Sequence, residues 1–256
     1  MRILGFDTAT RATTVALLDT HTDTAIERRD DPEPGARPRH TTRLMGLVVE
    51  VLDAAGVQWP AVDRVAVGVG PGTFTGLRIG VATAHALARA RDIPLVGVSS
   101  LHALARGAVA ATGVAQEGAL GVAGVAAGAG VAGEGVMAVI DARRGEVFAA
   151  GWATADVARA DAAPLIEPRP LAPGALADAM LAEGRTWLAV GDGAVEFREA
   201  LERTGARIPE GDSGRNRISA VQHCRLAAEL APADPEGVQP EYLRLPDAEI
   251  TLRAAR

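Results

Sequence analysis

The chain has 256 residues, close to half of them apolar, with a formal charge of −6 and one cysteine, Cys224. That length supports a sizeable core in one or two domains, and the mild acidity gives no footprint of a free-standing nucleic-acid binder. A lone cysteine excludes an intramolecular disulfide framework and a cysteine-based zinc knuckle. All 26 basic residues are arginine, which excludes a Schiff-base or phosphate-binding lysine.

Residues 2–7 read as a buried strand that starts almost at Met1, so no secretory leader is expected. No long apolar run suggests a membrane span, and the expected compartment is the cytoplasm. The strand ends in Asp7-Thr8-Ala9-Thr10, a small-residue turn leading into a second strand over 13–19. A third, weaker strand follows over 24–29, then a proline-rich loop over 30–39. His40 to Ala55 has apolar Leu44, Val48, Val51 and Ala55 on one face, and Gly56 ends it, which predicts a helix. His40 reads as a solvated or capping residue at its start.

Residues 62–69 predict a strand that runs into Gly70-Pro71-Gly72, with Thr73 and Thr75 as candidate N-caps for a helix over 75–90. Gly76, Gly80, Ala84 and Ala88 recur every four residues in that helix. Two glycines inside a helix cost about 0.5–1 kcal/mol each relative to alanine, so a close neighbour is expected. It is either a partner helix or the chain's own sheet. A short strand over 94–98 completes a β-β-β-α-β-α-β order, which predicts a mixed sheet, and Ser99 or Ser100 caps the helix that follows.

Residues 112–135 are Gly-, Ala- and Val-rich without a period and read as a low-complexity insertion. A hairpin follows over 136–141 and 146–152, then an irregular stretch over 153–173. Helices are predicted over 174–183, 194–203 and 219–230, with a strand over 187–190. Gly191-Asp192-Gly193 lies between strand and helix, a weak signal for a nucleotide loop. The five histidines have no metal-pair spacing and no G-x-S-x-G occurs, so neither a metal site nor a hydrolytic triad is expected.

The domain division expected is 1–108 plus 216–256 for the first unit and 109–215 for the second. A strand, Asp, small turn and strand resembles the phosphate loop of the actin/Hsp70/sugar-kinase superfamily, although Ala9 stands where that pattern prefers glycine. Asp7, Thr8, Ala9 and Thr10, with Gly191, Asp192 and Gly193, are therefore candidate nucleotide or phosphate loops, working or vestigial. Asp141 lies where a second such loop would, but with Arg143, Arg144 and Glu146 beside it it reads as a charged turn.

Taken together, Ile3 to Thr10, the His40-led helix, Gly70-Pro71-Gly72-Thr73-Phe74-Thr75-Gly76-Leu77-Arg78-Ile79-Gly80, Asp141 to Val147 and Pro240-Glu241-Tyr242-Leu243-Arg244 resemble the TsaB (YeaZ) family. The resemblance implies an α/β fold of two actin/Hsp70-like (ASKHA, RNase H-like) units with mixed sheets flanked by helices. It implies a non-catalytic subunit that binds and activates TsaD for N6-threonylcarbamoyladenosine formation at position 37 of tRNAs decoding ANN codons. TsaE is the expected third partner, TsaC the functional link, and a homodimer the form adopted alone. No cofactor is required, though weak nucleotide binding is compatible with the fold. The interface residues it implies are Leu44, Leu47, Val48, Val51, Gly72, Thr73, Phe74, Gly76, Leu77, Gly80 and Ala84. The alternative from a different class is a nucleotide-dependent kinase or transferase using Asp7 and the 191–193 loop.

Overall fold

The computed structural model describes residues 1–33, 35–110 and 133–244; the expected insertion over 112–135 falls almost wholly outside these. Among the described residues nine strands form two sheets. The first contains β1 (Arg2–Asp7), β2 (Thr13–Asp19), β3 (Thr24–Asp30), β4 (Arg64–Gly70) and β5 (Leu95–Ser99) in the order β3-β2-β1-β4-β5. The second contains β6 (Glu134–Arg143), β7 (Glu146–Ala153), β8 (Ile166–Leu171) and β9 (Thr186–Val190) in the order β8-β7-β6-β9. In each sheet the first strand pairs antiparallel with the second and parallel with the fourth. The second sheet thus repeats the plan of the first, and both are mixed, as the alternation of hairpins and crossover helices requires.

Helices cover both faces of both sheets, which is why the strands read as nearly continuous apolar runs rather than alternating ones. On the outer face of the first sheet, α1 (His40–Ala55) and α2 (Phe74–Arg91) pack on Leu4, Phe6, Val15, Leu17, Val65 and Val67. Its inner face, with Ile3, Ala16, Leu18 and Val96, receives α7 (Ala220–Glu229). Helix α3 (Ser100–Ala110) lies beside α7 and packs Leu101, Leu104 and Ala105 on Val136, Ala138 and Ile140 of the second sheet. The far face of that sheet, with Met137 and Val139, is covered by α4 (Pro173–Ala182) and α6 (Arg198–Glu202), and α5 (Asp192–Glu196) adds Ala194 to it.

Three local expectations are corrected. The stretch over 153–173 holds β8, which pairs with β7 alone; Pro168 and Pro170 hide it because proline removes ladder donors and is tolerated at a sheet edge. The single helix expected over 194–203 is two five-residue helices broken at Phe197, and the first begins at Asp192, inside the glycine turn. Thr73 occupies the N-cap position of α2, but no hydroxyl caps the helix.

Candidate functional site

Asp7 ends β1 and is 1% exposed. Its Oδ1 accepts the Ala9 N–H at 2.7 Å, which closes a tight turn. Its Oδ2 accepts the Ser100 hydroxyl at 2.6 Å and lies 3.0 Å from His223 Nε2. Ser100 and His223 are themselves fully buried. Gly68 on β4 leaves the space this carboxylate fills, since a Cβ there would land on it. Burial alone would raise the carboxyl. The bond and charge of His223, then the Ser100 hydroxyl and the Ala9 amide, outweigh that and hold it below the ordinary carboxylate range. Both carboxylate oxygens are thus engaged by groups of the chain itself.

The same turn is covered from outside. The Ala9 carbonyl accepts the Thr73 N–H at 2.7 Å, and the Thr8 hydroxyl donates to the Gly76 carbonyl at 2.7 Å. Cβ atoms on Gly72, Gly76 and Gly80 would land on Ala9, on the Thr8 carbonyl and on the Thr8 hydroxyl. Gly76 and Gly80 of the α2 stripe therefore have their close neighbour within the chain, the β1–β2 turn, while Ala84 and Ala88 pack in the core over the sheet.

The remaining interface expectation changes with it. Leu44, Leu47, Val48, Val51, Leu77 and Ala84 are buried in the core over the first sheet, and Gly76 and Gly80 are buried against Thr8. Gly72, Thr73 and Phe74 are half-buried. Phe74 stacks at 4.9 Å on Tyr242 and carries the Arg78 guanidinium over its ring. The inward stripe of each helix belongs to its own sheet, and the opposite side faces outward. That side of α1 carries Met45 and Val49, one turn apart, exposed by 43% and 51%, with Gly46 exposed between them. On α2 the exposed small residues are Thr75, Ala82, Ala86 and Ala90, with half-buried Ile79 and Thr83 beside the first three. Met45 and Val49 make α1 apolar on a second, outward side.

A cleft of about 310 Å³ opens between the two sheets, lined among others by Thr10, Arg11, Arg29, Asp192, Glu196 and Arg217. It brings Thr10 and Asp192 to one space but leaves out Asp7, Thr8 and Ala9. Asp192 Oδ1 accepts the N–H groups of Asp141 and Gly193 at 3.0 and 2.9 Å. Asp141 in turn accepts the Arg143 N–H and pairs with its guanidinium, a self-contained charged turn. His40, expected at the surface, is buried, with Nδ1 2.8 Å from Thr13 Oγ1. Among the described residues no group of three or more His, Cys, Asp or Glu side chains is placed to hold a metal ion, and no helix is long and apolar enough to cross a membrane.

The family model described as "TsaD: tRNA N6-adenosine threonylcarbamoyltransferase" matches residues 32–177. The chain is similar to the "tRNA threonylcarbamoyladenosine biosynthesis protein TsaB" of Escherichia coli, 32% identical over 148 residues, 58% of this chain and 53% of that protein. It is 36% identical over 96 residues to the protein of the same name from Haemophilus influenzae, covering 38% of each. The matched segments thus span about half of the first relative or less. Among solved structures, "YeaZ from Pseudomonas aeruginosa" superposes with a TM-score of 0.70 and 28% identity over 94% of this chain and 99% of that one. With a family model matched over more than half its length and the YeaZ fold shared along nearly all of it, the chain belongs to the TsaB/YeaZ family.

Proposed function

We propose that this chain is a non-catalytic subunit that binds and activates a TsaD-type threonylcarbamoyltransferase for N6-threonylcarbamoyladenosine formation at position 37 of tRNAs decoding ANN codons, in the cytoplasm. The observation that carries this reading is the state of Asp7. The carboxylate placed where an actin-like enzyme's first phosphate loop lies is buried beneath α2 and engaged by Ala9, Ser100 and His223. A nucleophilic role for Ser100 finds no support either. Asp7 stands between serine and histidine rather than behind the histidine, and a hydrolytic triad needs the base on the nucleophile.

The reading assigns docking to the outward face of α1 and α2, through Met45, Val49, Ile79, Ala82 and Ala86. Small residues there let a partner's helices approach closely. TsaE joins at that assembly, TsaC supplies the activated threonylcarbamoyl group, and tRNA is reached through the complex. Alone, two copies cover the same face. No cofactor is needed, and a nucleotide in the cleft beside Thr10 and Asp192 binds weakly. The test is titration of the full chain with TsaD from the same organism: one-to-one complex formation supports the reading, and Val49→Asp, which puts a charge on the face, abolishes it.

A further inference from the structure

Thr8 is fully buried between the first sheet and α2. Its hydroxyl donates to the Gly76 carbonyl, its own carbonyl fills the place a Cβ on Gly76 would take, and its side chain fills the place a Cβ on Gly80 would take. Ala9 receives Thr73 one turn earlier. The turn itself cannot slide, because Asp7 is held on three sides by Ala9, Ser100 and His223. Helix α1 is seated on β2 and β3, whereas α2 is seated on β4. Helices α1 and α2 touch each other only lightly, so a face made from both is continuous only if the height and rotation of α2 on β4 are fixed. The hydrogen bonds described from α2 side chains to other segments run to the C-terminal stretch, from Arg78 to Tyr242, His85 to Val238 and Arg89 to Glu236, leaving residues 8 and 9 to tie its first turns to the sheet.

We propose that Thr8 is a positioning residue for partner docking: the former phosphate turn works as a wedge that sets α2 so that its exposed residues align with Met45 and Val49. Thr8 touches no partner and acts only through α2. The inference rests on the docking face proposed above.

The experiment is calorimetric titration of full-length variants with purified TsaD from the same organism, well below each variant's melting temperature. Thr8→Val replaces the hydroxyl with a methyl, which cannot donate and needs more room than the 2.7 Å contact gives. It raises Kd about tenfold, as expected when about one tenth of the chain keeps α2 in the binding arrangement, and Thr8→Ser restores Kd close to that of the parent. A role confined to stability would lower Tm and leave Kd unchanged, and that result overturns the proposal. Should Thr8→Val fail to fold, Thr8→Ala removes the hydroxyl without added bulk and carries the same expectation and the same overturning result. Val49→Asp separates the two readings. If it abolishes binding while the Thr8 variants bind like the parent, the wedge fails and the docking face stands. If Val49→Asp binds like the parent, the docking face fails and the wedge with it.

Discussion

Glu27 and Arg64 show how single side chains of the first sheet hold α7. Glu27 Oε1 accepts the Ala220 N–H at 2.6 Å and the Thr14 hydroxyl at 2.8 Å, and Oε2 accepts from Ser219 at 3.2 Å. It is a carboxylate set at a helix N-terminus by another element, where orphan amides and the helix dipole favour it. Arg64 donates to the carbonyls of Ala227 and Leu230 at the other end. We expect Glu27→Gln to cost about 1–2 kcal/mol, read as a lower urea midpoint. Asp7→Asn removes the charge to which the Ser100 hydroxyl and the Ala9 amide donate and should cost about 1.5–3 kcal/mol. An enzyme-type Asp7 would instead lose ATP binding with stability intact, which urea melts and ATP titration together distinguish. The sequence marks Asp7 through the turn that follows β1. It does not mark Ser100, His223, Glu27 or Arg64 as partners, because each bond joins elements far apart in the chain and no periodicity records such pairs.

At the scale of elements, periodicity located α1 and α2 and their inward stripes, but it could not say what the small residues of α2 meet. A stripe of Gly76, Gly80 and Ala84 serves equally a partner helix or the chain's own turn, and the choice depends on where residues 8 and 9 end up. The structure places Thr8 there, so an arginine at Gly80 would displace the turn and disturb the fold before it could report on docking. Substitutions on the exposed side of α1 behave differently. Met45→Glu should leave stability within about 0.5 kcal/mol, as for surface sites generally, while weakening partner binding. A fall in Tm of many degrees would show that Met45 is core after all. Strand β8 escaped because its prolines belong to an edge, and α5 because a short helix can start within a glycine turn.

Across the whole molecule, one plan is used twice, and α3 with α7 forms the layer between the two sheets. The C-terminal stretch reaches from α2, through Tyr242 on Phe74, to the β6–β7 hairpin, through Arg244 on Glu146. This buried organisation has a pH signature. His40 and His102 both titrate below the ordinary histidine value of 6.5, mainly because burial disfavours their charged forms. Folding therefore sheds protons from them, and their contribution to stability is complete above pH 6.5 and lost as the pH falls below it, by at most about 1.4 kcal/mol per pH unit for each ring. Asp7, held below its ordinary 3.8, adds a second loss only in stronger acid. We expect Tm to be level above about pH 7 and to fall toward pH 5, with a shallower fall in His102→Phe, which keeps a ring against Trp152. A Tm unchanged over that range would contradict neutral, buried imidazoles. The account's central claim is that this chain acts by holding a partner, not by turning over a nucleotide. Its most direct measurement is light scattering on a size-exclusion column of the full chain mixed with TsaD from its own organism: the predicted result is a stable one-to-one complex that Val49→Asp dissolves, and two separate peaks with the parent chain would contradict it.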